Sequence, residues 1–150
     1  MYKRILVPVD GSDTSGKALL AALQLAREGE GRVRMVHVVD QMAFLSTGYG
    51  PVGDLLQIAQ EGATKVLAEA LERATAAGVP ADTKMLQLPG GRIGELVAQE
   101  ARDWEADLVV VGTHGRRGVS RVLLGSGAEQ VLRLSPVPVL SVRNTEPPAA

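Results

Sequence analysis

No cysteine occurs in this sequence, which excludes disulfides, thiolate metal sites and thiol catalysis. No apolar run approaches the roughly 18 residues of a membrane-spanning helix, and Pro8 and Asp10 make the first run too short for a signal peptide. Sixteen basic and 17 acidic side chains give a net charge of -1, which argues against general binding to nucleic acid or to anionic membranes. The sequence therefore predicts a cytoplasmic protein without nucleic-acid or membrane partners.

Patterns of several catalytic classes are missing as well. The Walker pattern Gly-x4-Gly-Lys-Ser/Thr does not occur, and Gly125-Ser126-Gly127 lacks the spacing of the Gly-x-Ser-x-Gly nucleophile elbow. The two histidines, His37 and His114, have no acidic cluster near them in the sequence, and two such residues do not make a metal site. We interpret His37 as packed at the end of a strand. No catalytic residue and no protein metal ligand is predicted.

The hydrophobic residues follow two patterns that alternate along the 150 residues. Apolar runs of strand length alternate with longer segments that repeat every three or four residues, which is typical of a parallel α/β sheet. A chain of this length suits one domain with one core. We therefore predict a single-domain, Rossmann-like α/β fold, a five-stranded parallel sheet with helices on both faces. Strands are expected at 5–9, 33–39, 82–88, 108–111 and 137–142.

Capping and turn residues predict the segments between these strands. Ser12 is expected to cap the first helix, which glycines at 29 and 31 end. Residues 40–53 contain three glycines and no period, so we predict a long loop before a helix that begins at residue 54. Another helix carries Ile93, with Trp104 completing its apolar face, and a short helix spans 126–134. The domain is expected to cover 1–143, followed by a flexible tail at 144–150.

A glycine-rich stretch follows the fourth strand. It reads Gly112-x2-Gly115-x9-Gly125-Ser126, with Arg116, Arg117 and Arg121 between the glycines. Glycines let backbone N–H groups approach an anion, and the helix that opens at residue 126 has a positive N-terminus. Arginines between the glycines can close over a polyphosphate. In an open sheet, ligands bind outside the carboxyl ends of the strands where the strand order reverses, so we interpret this stretch as a phosphate cradle.

Structural interpretations of the same residues stay open. Gly112 can simply end a strand, and Gly125 can simply lead into a helix. Asp10 follows the first strand in Pro8-Val9-Asp10, where a carboxylate can either face a ligand or form and cap a turn. Without the glycine motif the two interpretations of Asp10 carry equal weight.

The chain resembles the universal stress protein family, in its nucleotide-binding branch, over residues 2–143. The resemblance rests on residues 5–12, on His37-Val38, on the glycine motif and on Pro136-Val137-Pro138-Val139-Leu140. It implies the strand order 3-2-1-4-5, a homodimer in which the last strand, 137–142, pairs with its partner's copy, and ATP bound between strands one and four.

The resemblance also implies the binding residues. Pro8, Val9 and Asp10 would flank the adenosine, with Asp10 accepting from adenine or ribose and Val38 packing on the base. Ribose and phosphates would be held by backbone N–H groups of the glycine motif and by the Ser126 hydroxyl. Family members with a hydroxyl residue in place of Ala128 would make one more phosphate hydrogen bond. The implied set is Pro8, Val9, Asp10, Val38, Val111, Gly112, Thr113, His114, Gly115, Arg116, Gly125, Ser126, Gly127 and Ala128.

Hydrolysis of ATP needs a group that orients the attacking water. Residues 112–128 contain no carboxylate or glutamine for that task. We therefore expect a stress-response regulator or sensor that binds ATP, ADP or AMP and hydrolyses it very slowly at most. Mg2+ or Mn2+ would be held through the phosphates. The alternative is a nucleotide-free, dimeric, chaperone-like interaction protein whose glycine loop has become structural.

Overall fold

The computed structural model describes residues 1–40, 52–88, 91–113 and 126–143. Its five strands form one sheet in the order β3-β2-β1-β4-β5, and every neighbouring pair is parallel. The predicted fold class and the strand order implied by the resemblance are both confirmed. The elements are β1 (Arg4–Pro8), α1 (Asp13–Gly29), β2 (Arg32–Asp40), α2 (Val52–Ala76), β3 (Ala81–Leu88), α3 (Ile93–Asp103), β4 (Leu108–Gly112), α4 (Ser126–Leu134) and β5 (Val139–Val142).

Most strand ends differ from the predicted ones, generally by one residue. β5 begins at Val139, two residues later than predicted, because Pro138 has no N–H for a ladder. β2 extends to Asp40 because it pairs with β3 as far as Asp40 and Leu88. α2 begins at Val52, two residues before the predicted start. Most of the predicted loop, 41–51, and the tail, 144–150, lie outside the described residues.

The two faces of the sheet carry separate cores because strand residues alternate between the faces. Ile5 and Val7 of β1 pack with α1 and α2 on one face. Leu6 of β1 and Val109 of β4 pack with α3 and α4 on the other. The helices therefore cover both faces, as the continuous apolar runs of the central strands predict.

α1 begins as predicted and ends differently. The Ser12 side chain caps it by accepting from the N–H of Ser15 at 3.2 Å. At its other end the residue in the left-handed conformation is Glu30, with φ 53°, and neither of the two predicted glycines. Gly31 is instead required by close packing, because a Cβ there would lie 2.7 Å from the carbonyl oxygen of Tyr2.

A network of charged side chains that the periodicity does not reveal lies on the α3 face. The Arg34 guanidinium donates to both carboxylate oxygens of Asp82 at 2.8 Å and to Glu100 at 2.9 Å. Glu100 is only 4% exposed and also accepts from Lys84 at 2.9 Å. The Trp104 ring lies under the Arg34 guanidinium at 4.8 Å. Buried charge is tolerated here because Glu100 has two cationic partners.

Asp82→Asn should reduce the loss of stability on acidification. The hydrogen bond from Arg34 holds the pKa of the Asp82 carboxyl below its ordinary value. The unfolded chain therefore binds this proton first, so the contribution of Asp82 is present at neutral pH and is lost below about pH 4. Urea unfolding from pH 3 to pH 7 should show a smaller acid loss for Asp82→Asn.

Asp103→Asn is the matched control for this comparison. The Asp103 carboxylate accepts from the neutral amide of Gln99 at 2.8 Å. The substitution should therefore leave the dependence of stability on pH nearly the same as in the wild type. If wild type and Asp82→Asn lose stability equally on acidification, the proposed contribution of the Asp82 carboxylate is wrong.

Candidate functional site

The backbone pairing of the two central strands stops before their carboxyl ends. β1 and β4 pair at Ile5 with Leu108 and at Leu6 with Val109. β1 continues beside β2 to Pro8, and β4 continues beside β5 to Gly112. The strand order reverses between β1 and β4, and the region beyond their carboxyl ends, here called the crevice, is the usual ligand position in sheets of this type.

Pro8 provides a physical reason for the end of the β1–β4 pairing. The Arg4 carbonyl accepts from Asp107, just before β4, whereas the Val9 N–H donates to Val36 of β2. Backbone N–H and C=O groups of successive residues point alternately to the two neighbouring strands. Position 8 therefore faces β4, as position 4 does, whereas position 9 faces β2. Proline has no N–H, so the β1–β4 ladder lacks a donor where the crevice begins.

A hydrogen-bonded turn follows β1 and forms one wall of the crevice. Asp10 is half-buried, and its Oδ1 accepts from the N–H of Ser12 at 2.9 Å. The N–H of Asp10 donates to Ser15 Oγ at 3.3 Å, and Gly11 has a φ of 84°. One carboxylate oxygen of Asp10 therefore has the turn-forming role that the sequence left open. Its predicted role toward adenosine stays a prediction.

The end of β4 forms the other wall. A Cβ at Gly112 would lie 2.9 Å from backbone atoms of Thr14 in α1, so close packing alone requires glycine there. Val111 is buried in the α3 and α4 core. Thr113 is 3% exposed, its N–H donates to Val142 at 3.0 Å, and its Oγ1 has no hydrogen-bond partner in the described part of the chain. A buried hydroxyl without a partner is rare and costs stability, which marks Thr113 as a candidate ligand contact.

α4 begins at Ser126, as predicted, and its first turn presents N–H groups without intrahelical acceptors. Ala128 is buried and packs in the same core cluster as Val111, with Val38 at its edge. In the described part of the chain, no atom beyond the neighbouring helix backbone lies within 4 Å of a Cβ at Gly127. The positive N-terminus of α4 and the end of β4 are therefore both fixed by one core cluster.

Not all of the implied residues lie on one face of the sheet. Val38, Val111 and Ala128 belong to the α3 and α4 side, whereas the Val9 side chain is buried among α1 and α2. Val9 would therefore reach a ligand through its backbone. Four further members of the implied set fall outside the described residues, and their roles stay predictions: His114, Gly115, Arg116 and Gly125.

One contact at this site involves a residue outside the predicted set. Nδ1 of His37 lies 2.8 Å from the carbonyl oxygen of Val9, at the end of β1. The sequence signal was a histidine at the end of the second strand, which we interpreted only as a packed residue. The structure shows it half-buried and bonded to the neighbouring strand.

A small pocket lies on the other side of the β1–α1 turn. Gly11, Ser12 and Ser15 line it together with Val66 and Arg73 of α2, and its volume is about 50 Å³. Ligand pockets for molecules of nucleotide size span about 300 to 1,000 Å³. This pocket is therefore too small for a nucleotide.

The described residues contain no group of three or more His, Cys, Asp or Glu side chains that could hold a metal ion. Across the same ranges, no helix has the length and apolar character needed to cross a membrane.

The chain is similar to known proteins over almost its whole length. The sequence model of the universal stress protein family matches residues 1–143. Universal stress protein MJ0531 of Methanocaldococcus jannaschii is 34% identical over 145 residues, which are 95% of this chain and 83% of that protein.

Solved structures agree with the sequence match. A crystal structure of a universal stress protein family member from Burkholderia pseudomallei is 36% identical with a TM-score of 0.76, covering 93% of this chain and 95% of that chain. A crystal structure of a universal stress protein in complex with cAMP is 28% identical with a TM-score of 0.66, covering 94% and 96%. Since the family match and these relatives extend across nearly all of its length, this chain belongs to the universal stress protein family.

Proposed function

We propose that this protein binds ATP, or a related adenine nucleotide, in the crevice between β1 and β4 and acts as a nucleotide-dependent sensor in the stress response. The observation that carries the proposal is that the pairing of β1 with β4 stops at Leu6 and Val109, at the point where the strand order reverses. A 28% identical member of the family was crystallised in complex with cAMP, an adenine nucleotide, which supports the ligand class.

The crevice offers complementary groups for the two ends of such a ligand. Phosphates would bind at the first turn of α4, where the N–H groups of Ser126 and Gly127 and the helix dipole favour an anion. The buried hydroxyl of Thr113 would gain a partner by donating to a phosphate oxygen. The adenosine would extend toward Asp10 and Val38 at the ends of β1 and β2. The described residues therefore fit an adenine nucleotide.

Binding rather than turnover is the proposed activity. No carboxylate or glutamine occurs in residues 112–128 to orient an attacking water, so hydrolysis would be very slow at most. A magnesium or manganese ion would be held mainly by the phosphates and by water. The cytoplasmic location expected from the sequence remains part of the proposal.

We also propose a homodimer that forms through β5. This strand lies at the edge of the sheet, and an unpaired strand edge readily pairs with another chain. Leu140 on β5 and Leu132 on α4 are 39% and 41% exposed, so both leave apolar surface that a partner would cover. Pairing of β5 with its copy would cover them.

Thr113→Val should make the free protein more stable and its nucleotide complex weaker. Valine has the same shape without the unpartnered hydroxyl, so the free energy of unfolding should rise by about 1 kcal/mol. Loss of a hydrogen bond to a charged phosphate should raise the Kd for ATP about tenfold. Urea unfolding and isothermal titration calorimetry measure the two effects on the same preparation.

Thr75→Val is the matched control, since the exposed Thr75 hydroxyl donates to a carbonyl within α2 at 3.0 Å. Its Kd should equal that of the wild type. If no adenine nucleotide co-purifies and millimolar ATP gives neither heat nor a thermal shift, the nucleotide-free interaction protein is the correct alternative.

The proposed homodimer is tested by light scattering on the same sample. The measured mass should be twice the mass of one chain.

A further inference from the structure

The peptide group between Val9 and Asp10 is held from two different elements. The last backbone pair of β1 and β2 joins Pro8 and Val36, and the N–H of Val9 still donates to Val36 at 2.8 Å. The carbonyl oxygen of Val9 lies 2.8 Å from Nδ1 of His37 in β2. A side chain of β2 thus contacts β1 one residue beyond the last pair of the ladder.

The chemistry of the carbonyl decides the tautomer of His37. A carbonyl oxygen only accepts hydrogen bonds, so Nδ1 must carry the proton. In the neutral imidazole the other nitrogen, Nε2, is then the acceptor. Nδ1 also carries a proton in the charged ring, so the bond to Val9 persists in both protonation states.

The opposite side of this peptide is held by α1. A trans peptide is planar and directs its C=O and N–H to opposite sides. The N–H opposite the Val9 carbonyl belongs to Asp10 and donates to Ser15 Oγ at 3.3 Å. His37 from β2 and Ser15 from α1 therefore fix one peptide plane. This plane sets the position of the Asp10 Cα, from which the carboxylate extends to the Ser12 N–H.

We propose that His37 is a positioning residue of the nucleotide site. Its Nδ1–H fixes the peptide between Val9 and Asp10 and thereby holds the Asp10 carboxylate toward the adenosine, without contact between His37 and the nucleotide. This inference rests on the proposed function, because the role of Asp10 toward adenosine is part of that proposal.

The test compares His37→Leu with His37→Asn in the full chain by calorimetric titration with ATP. Leucine preserves bulk but removes the donor, so the Kd for ATP should rise about two- to tenfold, the factor expected for one hydrogen bond. The asparagine amide nitrogen lies close to the position of Nδ1, so His37→Asn should restore the wild-type Kd. Nitrogen-15 spectra of the wild-type imidazole should show Nδ1 protonated.

Three results would overturn the inference. One is a His37→Leu protein that binds ATP as tightly as the wild type, even with a lower unfolding free energy, because His37 would then only stabilise the fold. The second is equal weakening in His37→Asn and His37→Leu, and the third is a wild-type Nδ1 without a proton. If the His37→Leu protein does not fold, the ATP affinity of His37→Asn and the nitrogen-15 spectra still test the role of His37. Absence of ATP binding in the wild type would instead overturn the proposed function itself.

Discussion

Gly94→Ala should lower the free energy of unfolding by about 3 kcal/mol, the upper part of the usual range for overpacking a core. A Cβ at Gly94 would lie 2.2 Å from the Cβ and 2.8 Å from the carbonyl carbon of Gln130. Such distances are far shorter than van der Waals contact, and one of the atoms belongs to the backbone of α4. The two helices must therefore move apart, since no side-chain rotation removes the overlap.

The same substitution should also weaken nucleotide binding. The Gly94 N–H donates to Oε1 of Gln130 at 3.0 Å, so α3 and α4 are joined at this point by packing and by a hydrogen bond. Displacement of α4 would move its first turn, where we propose that the phosphates bind. Urea unfolding and ATP titration of the same variant measure both losses.

Gly62→Ala is the matched control for Gly94→Ala. Gly62 lies within α2, and among the described residues no atom beyond its chain neighbours and the nearby helix backbone lies within 4 Å of a Cβ at that position. Alanine has the higher helix propensity, so Gly62→Ala should raise stability by about 0.5 to 1 kcal/mol. Equal stabilisation by both substitutions would show that α3 and α4 do not pack as described.

Gly112→Ala is expected to have the second largest effect, a loss of about 1 to 3 kcal/mol in the free energy of unfolding. A Cβ at Gly112 would lie 2.8 Å from Cγ2 of Thr14 and 2.9 Å from its carbonyl carbon and oxygen. To relieve this overlap the first turn of α1 must move away from β4. That turn follows Asp10, so the affinity for ATP should fall as well.

A second substitution separates side-chain overlap from backbone overlap at this contact. Thr14→Ala removes Cγ2 but leaves the backbone carbon and oxygen in place, so the double variant Thr14→Ala, Gly112→Ala should recover little stability. A double variant as stable as Thr14→Ala alone would contradict the backbone contact. Unfolding of all three variants in urea provides the comparison.

Gly112 illustrates how far a motif predicts a site. The glycine spacing correctly located the stretch at the end of a strand and before a helix, because turns and strand ends depend on neighbours in sequence. The same spacing did not reveal the packing against Thr14, 98 positions earlier in the chain. Close packing against α1 is compatible with the proposed ligand contact of the Gly112 amide, which stays a prediction.

Asp10 also shows what a sequence motif does not predict. The sequence placed a carboxylate at a strand end and left two roles open. The structure assigns one oxygen to the Ser12 N–H at 2.9 Å and shows the peptide before Asp10 held by His37 and Ser15. The two bonds to serine are local, whereas the His37 bond depends on the register of β1 against β2, which sequence periodicity does not contain.

Local order was determined by the sequence alone. Apolar periods of two and of three to four residues predicted the parallel α/β fold and most element bounds, and Ser12 predicted the start of α1, because these features depend on residues within one or two turns of each other. The tertiary structure decided the contacts between distant residues: Gly94 against Gln130, Arg34 with Asp82 and Glu100, and His37 with Val9. Such contacts require atoms of separate elements to approach within a few ångströms, and only the packed arrangement of sheet and helices sets those distances.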